Sequence, residues 1–152
     1  MNNKDYLRFN DDIYRYVLIL DDIKRFRTRF TIKGESVAAH VLGCGLMYAD
    51  KIIADVRNGK TVDMNKAFYN LVATLVHDFG EVLTGDIPYP AKCKLSKEAK
   101  AEIDNMELEM LKEVSDNLYY AYIQNFIDHE TLKEIDRLSV DIMMNDEKQV
   151  GN

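Results

Sequence analysis

The chain has 152 residues, 47% apolar and 30% charged, which is enough apolar material for one packed domain and too much for a disordered chain. Its 20 basic residues against 26 acidic ones give a net charge of −6, so it has no surplus of cations with which to follow a long polyphosphate backbone, although one local pocket can still be positive. Cys44 and Cys93 make neither a disulfide framework nor a cysteine zinc ribbon, the N-terminal MNNKDYLRFNDD is charged where a signal peptide is apolar, and no run approaches about 18 uninterrupted apolar residues, so a soluble cytoplasmic protein is expected.

Helices are predicted from end to end. Residues 4–24 place Tyr6, Phe9, Ile13, Tyr16, Val17 and Leu20 at steps of three and four. The stretch RFRTRFTIKG at 25–34 breaks that period and reads as a cationic connection. Ser36 is the predicted N-cap of a long helix that ends near Gly59, with Val37, His40, Val41, Cys44, Tyr48 and Ile52 on its inner stripe. Asp63 caps a third helix, with Ala67, Leu71, Leu75 and Phe79 inward and Gly80 near its end. The segment VLTGDIPYPAK at 82–92 is expected to be a loop, because Gly85 is permissive and Pro88 and Pro90 oppose a regular helix. Ser96 opens a helix carrying Ala99, Ile103, Met106, Met110, Leu111 and Val114. Another covers roughly 118–128, through Tyr119, Tyr122, Ile123 and Phe126. The last runs from about 130 to 146, with Leu132, Ile135, Ser139, Ile142 and Met143 inward. Two prolines and seven glycines are few for a β protein with its many turns. The expectation is a single all-α domain over 1–152, with about six or seven helices.

The informative residues are ionisable groups on apolar stripes. His40 sits among Val37, Val41 and Cys44, His77 and Asp78 end the apolar run LVATLV, and Asp136 shares the inward stripe of Leu132 and Ser139. A carboxylate is almost never buried without a partner. Taken singly, each has a bland explanation, such as a satisfied core histidine or a carboxylate paired with Lys133 or Arg137. Together, two histidines and two aspartates from three helices make a mixed nitrogen and oxygen cage for one divalent ion. Adjacent side chains diverge by about 100°, so His77 and Asp78 share an ion only near a helix end, where Gly80 fits. Asp141 lies five residues past Asp136 and turns off the stripe, and His129 lies in the polar run DHET and reads as a surface residue.

The pair His77-Asp78, with His40 upstream and Asp136 downstream, resembles the metal-binding signature of the HD-domain phosphohydrolases. RF at 25–26, ESVAAH at 35–40, HDFGEVLTGDIPYPAK at 77–92 and LKEID at 132–136 are similar to segments of the bacterial 5′-deoxynucleotidase group, in the same order. The resemblance implies an HD-domain helical bundle in which His40, His77, Asp78 and Asp136 hold one divalent transition metal ion. It implies a catalytic carboxylate at Glu81, an acidic substrate contact at Asp86 and a substrate loop through Ile87, Pro88 and Tyr89. Arg25 stands where the family has an arginine for the phosphate, and Phe26 where it has a tryptophan beside the sugar. Ala39 replaces a glutamate that usually precedes the first histidine. The family suggests a homodimer.

A divalent ion lowers the pKa of bound water and neutralises a phosphoryl oxygen. Glu81 follows His77 by four residues and, if the helix persists, projects to the same side, where it can take a proton. The expected activity is metal-dependent hydrolysis of deoxynucleoside 5′-monophosphates. The ion is expected to be Mn, Co, Fe or Ni, and neither a nucleic acid polymer nor a membrane is an expected partner. The rivals are a deoxynucleoside triphosphate triphosphohydrolase, using the cations Arg25, Arg27, Arg29 and Lys33 for further phosphates, a silent metal- or nucleotide-binding module, and a plain helical interaction domain.

Overall fold

A computed structural model describes residues 9–25 and 34–151. Among these the chain forms eight helical segments: α1 (Asp12–Asp22), α2 (Val37–Arg57), α3 (Met64–Val76), α4 (Glu81–Thr84), α5 (Tyr89–Cys93), α6 (Lys97–Val114), α7 (Asp116–Tyr122) and α8 (His129–Gln149). The extended pairing among the described residues is one isolated bridge, Lys24 to Ser36, which closes the 25–34 connection at the foot of α2. The fold is all-α, as expected.

Short polar side chains start the long helices. Ser36 Oγ accepts from the Ala39 N–H, Asp63 from Lys66, Ser96 from Ala99 and Asp128 from Thr131. Each cap satisfies a donor that the helix leaves unpaired and contributes about 1 kcal/mol. α2 and α3 pack side by side, α1 and α8 lie against α2, and α6 and α7 close the far side. Leu20, Val37, Val76, Phe79, Leu111 and Val114 form the main core, and Cys44, Tyr48 and Ile135 join α2 to α8 in a smaller one. α2 is long and apolar enough by composition to cross a membrane. Its inner face is nevertheless packed into this core.

Several expectations are corrected. Residues 82–92 are not all loop, because α4 and α5 overlap them at either end. Pro90 falls in the first turn of α5, where no backbone donor is needed, and Pro88 precedes it as the cap residue. The expected helix over 118–128 is the shorter α7, because the chain turns after Tyr122 to bring the Asp128 N–H onto Asn70 Oδ1 at 2.7 Å. Phe9, Met106 and Ile142 are exposed rather than inward. On α6 the inward place is taken by Glu107, whose Cα and Cβ lie against Gly80 and whose Oε1 accepts from the Thr84 hydroxyl at 2.9 Å.

Candidate active site

Four residues from three parts of the chain meet. His40 comes from the first turn of α2, His77 and Asp78 from the turn that ends α3, and Asp136 from the end of the second turn of α8. One ligand atom from each lies within 4.8 Å of all the others. His40 Nε2 is 2.8 Å from Asp136 Oδ1 and 3.3 Å from Asp78 Oδ2. His77 Nε2 is 3.3 Å from Asp78 Oδ2 and 3.4 Å from Asp136 Oδ1. His40 is fully buried and the others are half-buried.

The surroundings fix the rings. His77 Nδ1 donates to the Thr74 carbonyl at 2.6 Å, which leaves Nε2 as the lone-pair atom aimed at the carboxylates. His40 Nδ1 lies 3.1 Å from Ser139 Oγ and 2.7 Å from Arg25 Nη1. A guanidinium only donates, so the Arg25 contact takes the lone pair of Nδ1; a His40 ring that gave Nε2 to an ion would instead carry its proton on Nδ1, donate it to Ser139 Oγ and require Arg25 Nη1 to move away. Ser139 itself donates to the Asp136 carbonyl at 2.6 Å, which locks it in place.

Burial alone would lower both imidazole pKa values, but the carboxylates outweigh it. Asp136 and Asp78 raise His40 to about 11, and Asp136, Asp78 and the Thr74 carbonyl raise His77 to about 9. Burial opposes ionisation of Asp136 and Asp78 as well, yet the two histidines hold both carboxyls well below their ordinary value. Two carboxylates thus face two imidazoles that each demand positive charge at one point. A divalent ion there supplies that charge, so two nitrogens and two oxygens within one small sphere fit such an ion.

Glu81 stands beside this cluster. The helix does not persist from His77, as the simple reading of the spacing required. α3 stops at Val76, the turn through Gly80 is held by Phe79 N–H to Val76 O and Glu81 N–H to Asp78 O, and Glu81 opens α4. The turn still delivers Glu81 to the same cleft as Asp78 and Asp136. Its Oε2 is buried and accepts no hydrogen bond among the described residues. Burial first, then the charges of Asp78 and Asp86, push its carboxyl up to about 8.

The cleft has a volume of about 640 Å³, in the range of small-molecule sites. Arg25, Asp86, Ile87, Pro88 and Tyr89 all line it, as expected of substrate contacts. Gly85, at φ 70°, makes the turn that brings this segment round. Arg25 is bound to Glu35 at 2.6 Å, a partner the sequence reading did not name. Phe26, expected beside the sugar, lies outside the described residues, as do Arg27, Arg29 and Lys33. Asp141 is not among the clustered donors, but it lines the cleft. His129 is exposed at the start of α8, edge-on to Tyr122. Lys92, Lys133 and Arg137 also line the cleft and were missed as site residues. Lys92 ends the TGDIPYPAK segment, and Lys133 stands three residues before Asp136, so a helical projection of the cations about Asp136 would have found the latter.

Comparison with known proteins identifies the family. Residues 12–152 match the family of YfbR-like 5′-deoxynucleotidases. The chain belongs to that family. A 5′-deoxynucleotidase of Shewanella oneidensis is 29% identical over 142 residues, spanning 86% of this chain and 71% of the relative. In fold, the YfbR-like chain is similar to an HD-domain phosphohydrolase of Listeria innocua, with a TM-score of 0.69 and 19% identity over 92% of this chain and 70% of the other. A conserved hypothetical protein of Pyrococcus furiosus gives a TM-score of 0.71 and 21% identity over 92% of this chain and 85% of that one. This member of the YfbR-like family is therefore a phosphohydrolase with the all-α HD-domain fold.

Proposed function

We propose that the enzyme hydrolyses deoxynucleoside 5′-monophosphates to nucleoside and phosphate. The observation that carries this reading is the cluster of His40, His77, Asp78 and Asp136, whose two carboxylates line the cleft, with the unpartnered carboxylate oxygen of Glu81 beside it. The likeness to the Shewanella oneidensis enzyme supports the substrate class.

His40, His77, Asp78 and Asp136 would hold the ion. A bound divalent cation polarises the phosphoryl oxygen and makes water acidic enough to react near neutral pH. Mn, Co, Fe or Ni suits the mixed donor set better than Ca, which takes oxygen alone. Glu81 orients the attacking water and accepts its proton on the buried carboxylate. Arg25 donates to the phosphate, and Asp86 holds a sugar hydroxyl or the departing 5′-oxygen. Ile87, Pro88 and Tyr89 form the wall against the nucleoside. The enzyme works in the cytoplasm, and as a homodimer. The exposed residues Leu42, Leu46, Ile53 and Val56 lie along one outer face of α2 and support that assembly, which light scattering tests.

A phosphate-release assay across deoxy- and ribonucleoside monophosphates and triphosphates, run with each divalent ion, decides the substrate. Release of phosphate from deoxynucleoside monophosphates is the expected result. Turnover of triphosphates alone would replace this reading with triphosphohydrolysis.

A further inference from the structure

Three cations of the cleft have no role in the chemistry above: Lys92 on α5, and Lys133 and Arg137 on α8. Lys133 and Arg137 are four residues apart and so stand one above the other on one helix face. Both are exposed, while Asp136 between them in sequence is half-buried, so their charges lie on the mouth side of the donor cluster. The same face continues through Val140 and Asp141 along the cleft wall. Lys92 enters from another element and also borders the two neighbouring clefts.

None of the three is held in an ion pair among the described residues. Carboxylates are not scarce, since 26 acidic residues face 20 basic ones and Asp141 follows Arg137 by one turn. Asp78, Glu81, Asp86, Asp136 and Asp141 line the same cleft, so the positive field is local to the heads of these three cations, where it recruits anions. Arg25 is different, because Glu35 already shares its charge at 2.6 Å. On the reading above, the reacting phosphate is held at the donor cluster, which leaves the three cations for a further anionic group.

We propose that Lys92, Lys133 and Arg137 form a second anion subsite, which binds an additional phosphate group on nucleotides that carry more than one. The proposal rests on the nucleotide reading above and widens the ligand class from monophosphates to diphosphates. Arg137 offers its planar fork to two phosphate oxygens, and the two lysines act as point charges on either side.

The test is calorimetric titration of the metal-loaded enzyme carrying Glu81→Gln, which spares the nucleotide, with deoxyadenosine diphosphate and deoxyadenosine monophosphate. The diphosphate should bind more tightly. Adding Lys133→Ala and Arg137→Ala should weaken diphosphate binding by about tenfold or more, the loss expected for charge-assisted hydrogen bonds, and leave the monophosphate nearly unchanged. Lys92→Ala should act in the same direction. Lys148→Ala, an exposed cation of α8 away from the cleft, should change neither. Exposed helical positions tolerate alanine well, and retained metal content verifies the fold. Equal affinity for the two nucleotides, or a diphosphate preference that survives all three substitutions, overturns the subsite. The enzyme without Glu81→Gln, assayed on the monophosphate, reports on the proposed function separately, and its failure there would leave the binding ratio readable.

Discussion

Glu81 holds a carboxylate where the protein provides it no hydrogen-bond partner at Oε2. Its folded pKa, about 8, lies above the ordinary 4.5, so the folded state of the metal-free protein binds the proton more tightly than the unfolded state does. The stability that comes with protonation is fully present below about 4.5 and is lost as pH rises through about 8. Glu81→Gln should therefore leave the Tm of metal-free protein near wild type at pH 4 and raise it at pH 9; a variant that is no more stable at pH 9 would refute the burial argument. In the metal-loaded enzyme the same variant should keep its ion and lose about 10²–10⁴ in kcat, the usual worth of a general base. Asp136 faces the opposite demand, since both histidines converge on its Oδ1. Asp136→Ala should lose the metal and the activity together, while Asp141→Ala, outside the donor cluster, should retain the metal by elemental analysis. These donors were legible in the sequence because each is an ionisable side chain on an otherwise apolar stripe. Ser139 was legible as an inward residue but not as the partner of His40, and the pairing of Glu35 with Arg25 was not legible at all, because an ion pair ten residues apart leaves no periodic mark.

At the scale of elements, the site depends on how α6 meets the turn between α3 and α4. A Cβ built on Gly80 would come within 2.6 Å of the Glu107 backbone Cα, so α6 rests directly on the turn that carries His77, Asp78 and Glu81. Gly80→Ala must push α6 away, which should cost about 1–3 kcal/mol and lower the Tm by several degrees. The metal site should loosen with it. Gly43 is the control: on the exposed face of α2 a Cβ meets nothing within 4 Å, so Gly43→Ala should raise the Tm slightly, by up to about 1 kcal/mol of helix propensity. Equal effects at the two glycines in thermal melts would remove close packing as the explanation. The contrast also shows what periodicity reads well and what it does not. Long capped helices such as α2 and α3 were legible because caps and stripes agree over several turns. Short α4 and α5 were not, because four or five residues complete barely one turn, and the prolines that argue against a helix interior are acceptable in a first turn. Met106 was assigned inward because it lies three residues after Ile103 and four before Met110, whereas the inward place belongs to Glu107, whose stem packs on Gly80 while its carboxylate accepts from Thr84.

Across the whole molecule, the four donors join α2, the end of α3 and α8, segments that are otherwise united by packing of unequal extent. α8 reaches α2 through a small core of Cys44, Tyr48 and Ile135, and much of its remaining surface, including Leu138 and Ile142, is exposed. An ion held by residues on all three segments is a cross-link available to the folded state alone, since the unfolded chain does not bring residues 40, 77, 78 and 136 together. Binding therefore adds RT ln(1 + [L]/Kd) to the stability, about 2.7 kcal/mol at a hundredfold excess over Kd. Removing the ion also leaves the carboxylates facing the imidazoles with only protons to reconcile them. Dialysis against a chelator should abolish turnover and lower the Tm by several degrees, and Mn, Co, Fe or Ni should restore both where Ca does not. The stabilisation should be greatest for α8, so amide exchange along Leu132–Met143 should accelerate on chelation more than exchange in the α1 core around Leu20. If chelation silences the enzyme while the Tm and the exchange of α8 stay constant, the ion is not held by Asp136, and the cluster of histidines and aspartates serves the fold without it.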